Sequence, residues 1–243
     1  MHAHAPATES HTPPQTPPHT PTRQERTRAL LRAAGILPVV TVDSIPQALA
    51  IAAALARGGL TAIEVTLRSA VAMEALGVLK RELPHVLVGA GTVRSARQAD
   101  EAQDQGVDFL VTPGTPPILG AALAGMALPV VPGAATASEI IALMDLGFDA
   151  VKLFPAASVG GLGMIKSLAG PFPELGLCPT GGINEANAAD YLKLANVLCV
   201  GGSWMVAADW IAAGRFDEIE AGARRARALL DAVRRADLGD VRK

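Results

Sequence analysis

Residues 36–67 read ILPVVTVDSIPQALAIAAALARGGLTAIEVTL, and this stretch decides how the chain folds. Two short apolar runs, ILPVVTV and TAIEVTL, bracket IPQALAIAAALARGG, whose apolar residues recur at helical spacing and which closes on paired glycines. The rhythm continues outward from there. HVLVGAGTV, VDFLVTPG, LPVVPGAAT, FDAVKLFP, LGLCPTGGI and NVLCVGG come next as further apolar runs, separated by Ala-, Leu-, Glu- and Arg-rich segments such as ASEIIALMDLGF. Alternating strand and helix implies a parallel sheet, and eight such units imply a single α/β domain, a (β/α)8 TIM barrel over residues 25–243. An open dinucleotide-binding sheet is the rival, but GAGTV lacks the further glycine of that fingerprint.

Length and composition agree with this. At 243 residues, half of them apolar, the chain can bury one large core. Its formal charge of −2, with arginines scattered apart from a short run near the C-terminus, offers no broad basic surface for nucleic acid or anionic membrane, so the expected partner is a small molecule. No apolar stretch is long enough to span a bilayer and the N-terminus lacks the apolar core of a secretory signal, which makes a cytoplasmic location the expectation. Cys178 and Cys199 lie in strand-like runs and read as buried free thiols.

Residues 1–24 form a Pro/Thr/His-rich tail with little to bury, expected to be disordered. Four of the five histidines lie there, irregularly spaced, and a solvated tail explains them better than a metal site. The body keeps only His85, in the turn-like LPHV, so histidine-based acid–base chemistry is not expected.

The active end of such a barrel is the C-terminal end of its strands. In TAIEVTLR the period of two puts Ile63, Val65 and Leu67 on one face and Glu64, Thr66 and Arg68 on the other, which points inward. A structural Glu64/Arg68 ion pair is the plain reading. In DAVKLFPAA the same count turns Lys152 inward, although it is one of only five lysines against sixteen arginines. Two readings stay open: a neutral amine that attacks a carbonyl, or an ammonium that packs its stem on the wall and reaches water or Glu64. CPTGGI and CVGGSW each end a strand on paired glycines, followed by the capping candidates Asn184 and Ser203. Tight turns alone need such glycines, but at strands seven and eight they suit a phosphate.

EVTLR, GAGTV, TPG, VPGAAT, KLFPA, CPTGGI and VGGSW, in this order, resemble the bacterial 2-keto-3-deoxy-6-phosphogluconate aldolases, also described as 4-hydroxy-2-oxoglutarate aldolases, from about residue 27 to 230. The resemblance implies a class I aldolase, a cytoplasmic homotrimer of barrels without metal or cofactor, that splits the phosphorylated keto acid into pyruvate and glyceraldehyde 3-phosphate. It implies Lys152 as the Schiff-base lysine and Glu64 as the general acid/base. Arg68 and Thr92 would hold the pyruvate carboxylate, and Pro113 and Phe154 would shape the pocket. Thr180 would meet the aldehyde end, and Gly181, Gly182 and Ser203 the phosphate. Ala157 stands where some members carry glutamate. The alternatives are another phosphate-binding barrel enzyme, an isomerase or epimerase with Lys152 as an electrostatic anchor, and a non-catalytic sensor of phosphorylated sugar acids.

Overall fold

The computed structural model describes residues 20–240, with side chains through 236. The 1–19 part of the expected tail therefore lies outside the described residues. Helix α1 (Arg23–Ala34) opens two residues before the expected boundary because Thr22 and Glu25 form a capping box: Glu25 N–H donates to Thr22 Oγ1 and Thr22 N–H to Glu25 Oε2.

The βαβ unit read from residues 36–67 forms as β1 (Ile36–Val40), α2 (Ile45–Arg57) and β2 (Ala62–Thr66). Ser44 starts α2 by accepting from Gln47 N–H, Pro46 sits in its first turn, where no N–H partner is lost, and Gly58 ends it. The chain continues as α3 (Ala72–Glu82), β3 (Leu87–Gly91), α4 (Ala96–Asp104), β4 (Phe109–Val111), α5 (Pro117–Ala124), β5 (Val130–Val131), β6 (Gly133–Ala134), α6 (Ala137–Asp145) and β7 (Ala150–Leu153). Then come α7 (Gly161–Ala169), β8 (Gly176–Leu177), α8 (Ala188–Leu192), β9 (Val200–Gly202), α9 (Ala208–Ala212) and α10 (Phe216–Asp240).

All paired strands are parallel. One sheet runs β5-β4-β3-β2-β1-β9 and the other β6-β7-β8, a TIM-barrel-like α/β arrangement. The fifth apolar run is split into β5 and β6 at Pro132, a residue with no N–H for a ladder. Isolated parallel bridges, Leu177 with Val197 and Thr180 with Gly201, join the β8 segment to the one around β9.

Strand alternation sorts the apolar residues into two layers. Ile36, Val40, Ile63, Val65, Val151 and Leu153 pack outward against the helices. Leu37, Ala62, Phe109, Val111, Val131, Ala150, Cys178 and Cys199 form a second cluster inside the curve of the strands, with Leu31 of α1 packed into it. Phe109 fills much of that interior, since a Cβ on Gly89 would lie 2.1 Å from its ring. Both cysteines are free and buried, as read from the sequence. Burial first, and neighbouring Cys178 second, pushes the Cys199 thiol well above its ordinary range. Among the described residues no helix is long and apolar enough to cross a membrane, and no group of three or more His, Cys, Asp or Glu is placed to hold a metal.

Candidate active site

One step toward the C-terminal ends, the inward faces turn polar. On β2 the residue two beyond Ala62 is Glu64, and on β7 the residue two beyond Ala150 is Lys152. Lys152 Nζ lies 2.9 Å from Glu64 Oε1 and 3.2 Å from Oε2, and the two side chains are only 5% and 1% exposed. The plain reading of Glu64 is corrected by this contact: its partner is Lys152, while Arg68 emerges past the end of β2 and is exposed. The ammonium also stands 5.4 Å from the centre of the half-buried Phe154 ring, within cation–π range.

Close approaches hold the pair in place. Gly91 at the end of β3 has no side chain, and a Cβ there would lie 2.3 Å from Glu64 Oε1, so this glycine makes room for the carboxylate. Thr92 comes next at φ 58, the only described residue other than glycine with positive φ, a strained position of the sort found at functional sites. Gly133 is the β6 partner of Lys152 and packs against the backbone of Thr112 and Pro113. Thr112 Oγ1 accepts from Gly133 N–H at 2.7 Å, and Thr115 Oγ1 donates to the Gly133 carbonyl at 3.0 Å.

The glycine turns lie at the same end. Gly181 and Gly182 have φ of 98° and 78°, which favours glycine, and a Cβ on Gly182 would meet the Ala157 methyl at 2.3 Å. Ala157 thus packs against this turn, and its N–H donates to the Gly181 carbonyl. Thr180 is buried, with its hydroxyl where a Cβ on Gly201 would fall. Of the two capping candidates, Asn184 accepts from Ala186 N–H and caps a turn. Ser203 caps no helix: it precedes a turn, and α9 starts only at Ala208 without a side-chain cap.

Arg68 and Ser203 line one cavity of about 460 Å³ with Val39, Thr41, Asp43 and Gln47. Val39 is the β1 partner of Glu64, which puts this cavity directly beside the buried pair. Pro113 borders a different cavity, of about 510 Å³, with Arg94 and Glu139. Nine of the ten candidate residues sit near or beyond the C-terminal ends of strands and Glu64 lies midway along β2, whereas exposed His85 precedes β3 at the opposite end. Sequence reading missed Thr41, Asp43 and Gln47. The signal for Thr41 was present, a polar residue at the inward register near the end of the first apolar run.

An amine held on a carboxylate is equipment for carbonyl chemistry. The amine can add to a carbonyl, and the carboxylate can carry the protons that the addition moves. Lyases that work through a lysine imine use an amine and a proton carrier in this way. Comparison with known proteins narrows the class. The family model for KDPG and KHG aldolase matches residues 27–222. The Escherichia coli K12 KHG/KDPG aldolase is 43% identical over 199 residues, which are 82% of this chain and 93% of that protein. The Pseudomonas aeruginosa 2-dehydro-3-deoxy-phosphogluconate aldolase is 45% identical over 202 residues, 83% of this chain and 91% of that one. Among solved structures, the Legionella pneumophila KDPG aldolase, with pyruvate captured at low pH as a covalent carbinolamine intermediate, matches with TM-score 0.80. It is 38% identical, over 82% of this chain and 96% of that one. The Zymomonas mobilis ZM4 enzyme with 3-phosphoglycerate matches with TM-score 0.79 and 40% identity, over 85% and 97%. The chain belongs to the KDPG and KHG aldolase family and is a lyase.

Proposed function

We propose that this chain is a class I aldolase that cleaves 2-keto-3-deoxy-6-phosphogluconate to pyruvate and glyceraldehyde 3-phosphate, with Lys152 as the imine-forming residue and Glu64 as its proton carrier. The contact between Lys152 Nζ and Glu64 Oε1 at 2.9 Å, out of solvent, carries the reading. When Glu64 holds the shared proton, the Lys152 amine has a free lone pair for the C2 carbonyl carbon. Glu64 returns the proton to the carbonyl oxygen, water leaves, and a protonated imine remains. Glu64 then takes the C4 hydroxyl proton. The C3–C4 bond breaks, its electron pair enters the imine to give an enamine, and the aldehyde departs. Protonation at C3 and hydrolysis release pyruvate and the free lysine. The imine supplies the electron sink.

Arg68 presents a planar fork suited to the pyruvate carboxylate, with Thr92 beside it. Pro113 and Phe154 shape the pocket, and Thr180 meets the aldehyde end. Gly181, Gly182 and Ser203 hold the phosphate. The carbinolamine in the Legionella relative and the 3-phosphoglycerate in the Zymomonas relative support these assignments. The reading includes a closed (β/α)8 barrel from residue 25, supported by the bridges beside β8, and a cytoplasmic homotrimer, for which the exposed Ile118 on α5 and Ile141 on α6 offer apolar surface. The family membership leaves the isomerase and sensor alternatives without support.

Incubation with pyruvate and borohydride tests the chemistry. Peptide mapping is expected to find the reduced pyruvate adduct on Lys152, and its absence from folded protein at saturating pyruvate would sink the Schiff-base mechanism. Gly91→Ala tests the placement of Glu64. The new methyl must displace the carboxylate, so kcat/KM is expected to fall by about 10² while overpacking costs about 1–3 kcal/mol of stability, read by pyruvate release and denaturant titration.

A further inference from the structure

Thr41 and Thr66 form a hydroxyl pair that this scheme does not use. Leu37 lies inside the strands, so Val39 and Thr41 continue its inward register. The β1/β2 ladder pairs Val39 with Glu64 and Val40 with Val65, which brings Thr41 beside Thr66. Successive inward residues of a strand are about 6.6 Å apart, so the threonines stand one such step beyond Glu64, toward the mouth.

Proton counting limits the directions of these hydrogen bonds. Each hydroxyl has one proton. The buried Thr66 hydroxyl donates to the Val40 carbonyl at 3.1 Å, which can only accept. Either hydroxyl could donate across the 2.9 Å contact between Thr66 Oγ1 and Thr41 Oγ1; while Thr66 donates to Val40, the proton there is that of Thr41. Thr41 is left with acceptor lone pairs for the cavity that it lines with Arg68, Ser203 and Asp43. Asp43 adds a carboxylate, again an acceptor, and Gln47 Oε1 is occupied by Asp43 N–H at 2.7 Å.

We infer that Thr41 is a specificity-determining residue, which accepts a hydrogen bond from the substrate hydroxyl on the carbon beyond the cleaved bond. The inference rests on the aldolase reading and deepens it. In 2-keto-3-deoxy-6-phosphogluconate that carbon, C5, bears a hydroxyl that can donate. In 4-hydroxy-2-oxoglutarate it is a carboxylate, which brings acceptors against the acceptors of Thr41 and Asp43. The wall formed by Thr41 and Asp43 thus selects hydroxylated keto acids over dicarboxylic ones.

The test is the ratio of kcat/KM for these two substrates, read by pyruvate release, in the unaltered protein, Thr41→Val and Thr41→Ser. Thr41→Val is expected to lower the preference for the hydroxylated substrate about tenfold, the worth of one hydrogen bond, while Thr41→Ser keeps it. Thr41 is exposed at the cavity, so neither change empties the core. Pyruvate release from both substrates with an unmoved ratio in Thr41→Val, or an equal loss in Thr41→Ser, overturns the inference alone. No pyruvate from either substrate with the unaltered protein overturns the aldolase reading, and the inference with it.

Discussion

Lys152→Arg is expected to lower turnover of 2-keto-3-deoxy-6-phosphogluconate by on the order of 10⁴ or more and to leave no borohydride-trapped adduct. The guanidinium keeps a positive charge opposite Glu64 and can still bond to its carboxylate, at an overpacking cost of about 1–3 kcal/mol in this buried site. The nucleophile is lost, because a guanidinium does not lose its proton in a protein and has no lone pair to offer a carbonyl carbon. The measurement is initial-rate pyruvate release beside a thermal melt. Electrostatic anchoring by residue 152 predicts the opposite, since arginine would serve as an anchor too. Turnover within about tenfold of the unaltered protein would therefore remove the imine from the mechanism.

Glu64→Gln is expected to lower kcat by about 10²–10⁴, with a smaller change in KM. The amide oxygen can still accept from Lys152, so the side chain keeps its shape and one of its two contacts. It cannot take up the proton that Lys152 must shed before attack, nor the one from the C4 hydroxyl. Both steps belong to the chemistry and not to ground-state binding, which is why kcat carries the loss. The variant also leaves a buried amine without its counter-charge, and losing one partner of a buried pair costs up to about 3–5 kcal/mol. A lowered melting temperature should accompany the slow turnover. A stable, fully active Glu64→Gln protein would move the proton-transfer role to another group.

Much of the site was legible along the chain because strand periodicity reports direction. Counting by two through TAIEVTLR and DAVKLFPAA turned Glu64 and Lys152 inward, and the structure places both there, with Ala62 and Ala150 below them in the interior cluster. The eight apolar runs all contain strands or bridged segments, because β-branched runs between helical segments have few other ways to hide their backbone. Partner choice was not legible. Arg68 is four residues from Glu64 and Lys152 is eighty-eight away, yet Lys152 forms the pair. Local spacing favoured the arginine, but β2 ends at Thr66 and releases Arg68 to the cavity. Ser203 was misread as a cap for a similar reason: the chain enters a turn there, and α9 starts five residues later.

By itself the sequence determined the parallel α/β layering, the inward direction of Glu64 and Lys152, and the family, since each depends on periodicity or on motif order within the chain. The tertiary structure decided which inward groups meet: Lys152 with Glu64 across the interior, Gly91 yielding space to the carboxylate, and the Thr41 hydroxyl with that of Thr66. The physical reason is that a strand's pleat sets where a side chain points, while its partner is set by the register and curvature of strands distant in sequence. Hydrogen-bond direction needs more again, because a proton can be assigned only when every neighbouring acceptor is known.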